Sequence, residues 1–231
     1  MERNLNPHDR LIVALDVPSA AAALDLCDRL PATFYKIGLE LYLAAGAGLI
    51  ATLKQRQKRV FLDLKLHDIP NTVAAACRVI RDYDVDFVTV HGAGGAAMLT
   101  AAQEAIAAPR LLVVTVLTSI TPAQLSEQLH IATPLGTYGQ HLAEMAQNCG
   151  LAGAICSPQE AAALRRALGP DFLLVTPGIR PAGTDLGDQR RTLTPAEAIA
   201  QGADYLVIGR PITAAPDPLV AWEEMIAAME G

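Results

Sequence analysis

The segment VFLDLKLHDIPNT, residues 60–72, places Asp63, Lys65 and Asp68 within six positions of one another. On an extended strand, residues two apart share a face, so Asp63 and Lys65 point the same way while Leu62, Leu64 and Leu66 take the other side. An ammonium beside a carboxylate keeps its charge in a desolvated place because the neighbour offsets the loss of water. Such a fixed cation can stabilise developing negative charge and deliver a proton. The alternative is an inert ion pair plugging the interior, an arrangement that adds little net stability. Other charges stand at the ends of apolar runs: Asp16 after LIVAL, Lys36 inside FYKIG and His91 after DFVTV.

Eight short runs of this kind recur, at 11–15, 34–38, 60–65, 86–90, 111–117, 153–156, 172–176 and 205–209. Runs without polar alternation suit parallel strands covered on both faces. The segments between them are long enough for crossover helices. SAAAALDLCDRL offers Ser19 as an N-cap, PNTVAAACRVIRDY opens on Pro70, and PQEAAALRRALG has Pro158 early and Gly169 as a stop. The long gap after the fifth run holds two further candidate helices, 122–131 and 136–148. Eight strand-then-helix units predict an α/β fold, a (β/α)8 TIM barrel over residues 1–231 as a single domain, with extra helix after strand 5. A doubly wound open sheet is the competitor, because periodicity does not see closure. In a barrel the active site lies at the C-terminal strand ends, where these charges fall.

The chain of 231 residues is 52% hydrophobic but only 4% aromatic, so the expected core is Ala, Leu, Val and Ile rather than large rings. With 18 Lys+Arg against 24 Asp+Glu, the net charge of −6 excludes a general affinity for nucleic acid or an anionic membrane. The first ten residues have no apolar h-region. The apolar stretch 39–53 is interrupted by Glu40 and glycines, short of the ~20 residues a bilayer needs. A cytoplasmic protein is expected. Cys27, Cys77, Cys149 and Cys156 lack CxxC or His-bracketed spacing and read as reduced, structural residues.

The run DLKLHDIPNTV, with LIVALDVPS and YKIGLEL before it and VTPGIRPAG, GDQRR and VIGRPIT after it, resembles the orotidine 5′-phosphate decarboxylase family. The resemblance extends from Leu11 to about Thr213; DxKxxD alone marks a superfamily, and the IPNT, PGIRP and GR elements narrow it. It implies conversion of orotidine 5′-monophosphate to UMP by a homodimer with active sites shared across the interface, without metal or organic cofactor. It implies a charged catalytic network of Lys36, Asp63, Lys65 and Asp68, with Lys65 the proton donor and Asp68 offered to the other subunit. Ile69, Pro70, Asn71 and Thr72 would accompany Asp68, Asp16 and Lys36 would contact the ribose, and Thr118 the pyrimidine. Arg180, Gln189, Gly209 and Arg210 match positions chiefly around the phosphate, and residues 178–191 match a lid. Two alternatives stand beside this: a Mg2+-dependent sugar-phosphate decarboxylase or aldolase sharing DxKxxD, and an inactive nucleotide-binding barrel.

The remaining polar residues have plainer expectations. His67 is expected to make a structural hydrogen bond at the rim or interface, and His91 to support the charged network. His8, His130 and His141 are expected at the surface. Met98, Met145, Met225 and Met229 read as core filler, and Trp222 as a helix residue packing on the barrel.

Overall fold

A computed structural model describes residues 6–181 and 192–230. All eight apolar runs form strands: β1 (Leu11–Ala14), β2 (Phe34–Gly38), β3 (Arg59–Leu66), β4 (Phe87–His91), β5 (Arg110–Val114), β6 (Gly153–Ile155), β7 (Leu173–Thr176) and β8 (Tyr205–Ile208). Each pairs in parallel with the next, and β8 returns to β1 through Leu11↔Leu206, Ile12↔Val207 and Val13↔Ile208. The sheet is therefore a closed barrel, not an open doubly wound one.

Helices alternate with the strands. α1 (Pro7–Arg10) precedes β1; α2 (Ala20–Arg29), α3 (Leu39–Gln55), α4 (Pro70–Arg81) and α5 (Gly95–Ala105) follow β1 to β4 in turn. Both α6 (Pro122–Glu127) and α7 (Leu135–Asn148) follow β5, then α8 (Ala161–Leu168) follows β6, α9 (Pro195–Ala200) follows β7, and α10 (Arg210–Thr213) and α11 (Pro218–Glu230) follow β8. Their ends have local causes. Ser19 Oγ accepts from the Ala22 N–H at 3.2 Å, a cap whose loss costs about 1 kcal/mol. Pro70 fills the first turn of α4, where no N–H is needed, and Gly169, at φ 76, ends α8. α6 stops well before residue 131, because His130 sits in the left-handed region at φ 55 and turns the chain. α8 starts three residues after Pro158: Glu160 accepts from the Ser157 N–H instead, closing a turn ahead of the helix. Among the described residues no helix is long and apolar enough to cross a membrane, and α3 is itself kinked at Gly46, φ 63.

The core has two layers. Outward-facing strand residues such as Val13, Leu62, Val88, Val113 and Leu206 pack under the helices in an aliphatic layer. Inside the barrel the low aromatic content misleads. Phe34, Phe61, Phe87 and Tyr205 form its floor, with ring centroids 5.2–6.0 Å apart. Tilted and edge-on pairs of this kind are each worth about 1 kcal/mol beyond area burial. Arg59 and Arg110, which open β3 and β5, lay their guanidinium groups over Phe34 and Phe87 at 4.0 and 4.6 Å. Three of the four phenylalanines are thus spent on one interior layer, which is why a 4% aromatic content said nothing of their importance.

Met98, Met225 and Met229 are buried, Met145 packs against the outer layer, and Trp222 of α11 is buried against the barrel. The four cysteines are free thiols, and burial raises Cys27 and Cys77 to about 11, which leaves both thiols neutral. His8, His130 and His141 are exposed.

Candidate active site

Above the aromatic floor the interior turns polar, because the next inward-facing position on each strand falls near the open mouth. Phe34 gives way to Lys36 on β2, Phe61 to Asp63 on β3, and Phe87 to Thr89 on β4. A cavity of about 370 Å³ opens there, a size suited to a small molecule. Asp16, Lys36, Asp63, Lys65, Thr118, Arg180, Gly209 and Arg210 all line it. These residues come from or just beyond six different strands, and closure of the sheet is what brings them to one place.

The floor of the cavity is an alternating array of charge. Lys36 Nζ lies 2.9 Å from Asp16 Oδ1 and 3.9 Å from Asp63 Oδ2, while Lys65 Nζ lies 2.7 Å from the same Asp63 oxygen. Lys36 and Asp63 are nearly enclosed, with side chains 10% and 12% exposed, whereas Lys65 is 41% exposed and reaches into the open cavity. Two glycines permit the crowding. A Cβ at Gly38 would lie 2.8 Å from Lys36 Nζ, and one at Gly209 would lie 3.3 Å from Asp16 Oδ2.

Simple strand alternation does not account for Lys65. Its backbone has φ 51, in the left-handed region, which costs a non-glycine residue on the order of 1–3 kcal/mol. Between Leu62↔Val88 and Leu66↔Val90, four steps along β3 match only two along β4, so the strand bulges at this place. The expected pairing of Asp63 with Lys65 is met, but through a bulge rather than a regular pleat. Thr89, which sequence reasoning passed over, holds it: its Oγ1 accepts from the Lys65 N–H and donates to Asp63 Oδ1, both at 2.9 Å. Nothing within the 63–72 run signals this partner, since a threonine in an apolar strand reads as filler. Cys156, read only as structural, also lines the cavity, with Leu117, Ile155 and Val207 supplying apolar wall.

Asp68, Ile69, Pro70, Asn71 and Thr72 are exposed and do not line the cavity of their own chain. Asp68 Oδ1 accepts from the Ile69 N–H at 2.6 Å, and Ile69 is 67% exposed. Arg180 is held at the mouth by its N–H to Leu193 O at 3.0 Å and by Nη1 to Ile179 O at 2.8 Å. Gln189, and most of the expected lid, lies outside the described residues.

His67 makes a different contact from the hydrogen bond expected of it. Its ring stacks on His91, centroids 5.1 Å apart and nearly parallel. His91 in turn accepts from the Ala93 N–H through Nδ1, capping the turn after β4. Burial, then His67 and Lys65, push the His91 pKa below its ordinary 6.5. The folded protein thus binds this proton less readily than the unfolded chain. The associated stability is whole above about 6.5 and is lost as pH falls through the folded-state value. We expect His91→Asn, which keeps an acceptor for Ala93, to flatten the decline in urea midpoint between pH 7 and pH 5. An acid limb as steep as the wild type's would remove His91 from the linkage.

Comparison with known proteins agrees with this geometry. The family described as Orotidine 5'-phosphate decarboxylase / HUMPS matches residues 9–225. A Nostoc protein named orotidine 5'-phosphate decarboxylase is 52% identical over 228 residues, spanning 94% of this chain and 96% of its own. One of the same name from Moorella thermoacetica is 48% identical over 237 residues, spanning 98% and 94%. The crystal structure of orotidine 5'-phosphate decarboxylase from Lactobacillus acidophilus superposes with a TM-score of 0.86 at 37% identity, covering 96% of this chain and all of that one. A closed parallel barrel, a charged cavity at its C-terminal mouth and relatives matching nearly end to end converge on one assignment: this chain belongs to the orotidine 5'-phosphate decarboxylase / HUMPS family.

Proposed function

We propose that this protein decarboxylates orotidine 5′-monophosphate to UMP, with Lys65 as the catalytic acid. The observation that carries the reading is the alternating array Asp16, Lys36, Asp63, Lys65 at the floor of a cavity that also contains Arg180 and Arg210. Breaking the C6–carboxylate bond releases CO2 and leaves the electron pair on C6, in the plane of the pyrimidine ring, where the π system does not delocalise it. Stabilisation then has to be electrostatic. The Lys65 ammonium, fixed by Asp63, faces the developing charge and passes a proton to C6, which yields UMP and leaves Lys65 neutral. Solvent reprotonates it.

Asp16 and Lys36 bind the ribose, and Thr118 contacts the pyrimidine. Arg180, Arg210 and the backbone at Gly209 hold the phosphate, the usual place for one in a barrel, at the end of the last strands. Arg suits the role because its planar fork matches phosphate oxygens. We assign Gln189 to the same phosphate. The phosphate is remote from C6, so its binding energy serves orientation rather than bond breaking.

We read the whole chain as one catalytic domain and the enzyme as a cytoplasmic homodimer in which Asp68, with Ile69, Pro70, Asn71 and Thr72, completes the partner's site. Their exposure beside the mouth supports this. The net charge of −6 speaks against a polyanion partner such as nucleic acid or an anionic membrane. Orotidylate ultraviolet absorbance should fall on adding the protein, and should fall as fast in excess EDTA. Strict dependence on Mg2+, or no turnover of orotidylate at all, would overturn the reading in favour of a sugar-phosphate enzyme or an inactive barrel.

A further inference from the structure

Thr89 is fully buried inside the barrel, one layer above Phe87 and one below His91. A buried hydroxyl has to be hydrogen-bonded, and this one is used in both directions. The Lys65 backbone N–H has only a proton to offer, so Oγ1 accepts there and its own proton goes to the Asp63 carboxylate. The polarity of the relay is therefore forced, not chosen. Asp63 is gripped on both oxygens, Oδ1 by Thr89 and Oδ2 by Lys65 Nζ at 2.7 Å. Lys65 is held at both ends, its N–H by Thr89 and its ammonium by Asp63. The β3 bulge explains why a side chain does this work. Where β3 and β4 fall out of register, the Lys65 N–H donates to a hydroxyl on β4 in place of a ladder carbonyl.

We propose that Thr89 is a positioning residue for decarboxylation: its hydroxyl locks Lys65 in the left-handed conformation and fixes the plane of the Asp63 carboxylate, which together aim the ammonium into the cavity. The kinetic half of this rests on the decarboxylase reading, whereas the structural half does not. The hydroxyl touches neither the reacting atoms nor the arginines across the cavity. Its loss should therefore misplace the acid without weakening phosphate binding.

The test compares Thr89→Val, which replaces the hydroxyl by a methyl of similar shape, with Thr89→Ser, which restores the hydroxyl. Misplacing a catalytic group by about 1 Å costs about 100-fold, so kcat for Thr89→Val should fall by about that factor. KM for orotidylate should stay within about threefold of wild type, the pattern of an interaction that matters only in the transition state. Thr89→Ser should recover most of the lost kcat. Crystal structures of both variants supply a readout independent of activity. Lys65 should leave positive φ and lose its contact with Asp63 in Thr89→Val, and keep both in Thr89→Ser.

Should Thr89→Val lower thermal stability yet keep kcat within about threefold of wild type, Thr89 is only a core residue and the proposal fails. It fails equally if Lys65 keeps its backbone conformation and its Asp63 contact without the hydroxyl. If Thr89→Val does not fold, Thr89→Ala is read by the same two criteria. A wild-type protein inactive on orotidylate overturns the decarboxylase reading, and the crystal structures then decide the positioning of Lys65 alone.

Discussion

Lys65→Ala is expected to lower turnover of orotidine 5′-monophosphate by at least about 10⁴-fold, because in the proposed mechanism one side chain supplies both the fixed positive charge and the proton. At about 1.4 kcal/mol per decade, that corresponds to about 5.5 kcal/mol or more of lost transition-state stabilisation. The fold should survive. The Lys65 side chain is 41% exposed and contributes no core packing, and Asp63 retains the Thr89 hydroxyl at 2.9 Å and Lys36 at 3.9 Å. Its carboxylate is therefore not left buried without a partner, the circumstance that makes broken ion pairs costly. Steady-state kinetics with thermal melts alongside checks both halves. A variant with near-normal decarboxylation would remove Lys65 from the mechanism.

Mixing two inactive variants should restore activity. If Asp68 serves the site of the other subunit, Lys65→Ala and Asp68→Ala homodimers each have two defective sites. A mixed dimer has one site with both residues altered and one with both native. At equal amounts and full exchange, half of the dimers are mixed, so about a quarter of all sites should be active in a twofold-symmetric assembly. The geometry motivates this: Asp68 lies only three residues from Lys65, yet it is exposed and outside its own chain's cavity. Activity of the mixture is read against each variant alone, with subunit exchange verified by mass or tag exchange. Exchange without recovered activity would rule out the cross-subunit role of Asp68.

The order and type of the elements were legible because parallel strands covered on both faces read as unbroken apolar runs. Every run became a strand, with ends displaced by at most a few residues. Ser19, Pro70 and Gly169 mark helix ends through local chemistry, and the structure uses each of them. Where an end depended on one backbone angle, as at His130 after α6, the residue type did not announce it. The aromatic floor escaped for a related reason: composition counts phenylalanines but does not show that Phe34, Phe61 and Phe87, on three successive strands, turn into one cluster inside the barrel.

The site divides in the same way. Charged residues at strand ends are visible in a sequence because an apolar run makes each one stand out, and Asp16, Lys36, Asp63 and Lys65 stood out so. Their distances did not follow from that. Lys36 and Asp63 are 27 residues apart in the chain and 3.9 Å apart in space, a proximity set by the β2–β3 register. Thr89 and the His67–His91 stack were invisible because each depends on how β3 lies against β4 beyond the bulge. By itself, then, the sequence determined which segments are strands and helices and which charges stand at their ends, since propensity and apolar patterning act over a few neighbouring residues. Only the tertiary structure decided that the sheet closes, that those charges meet around one cavity, and that Lys65 takes a left-handed turn against Thr89. Registers between strands are set by packing across the whole barrel, and no local stretch of chain encodes them.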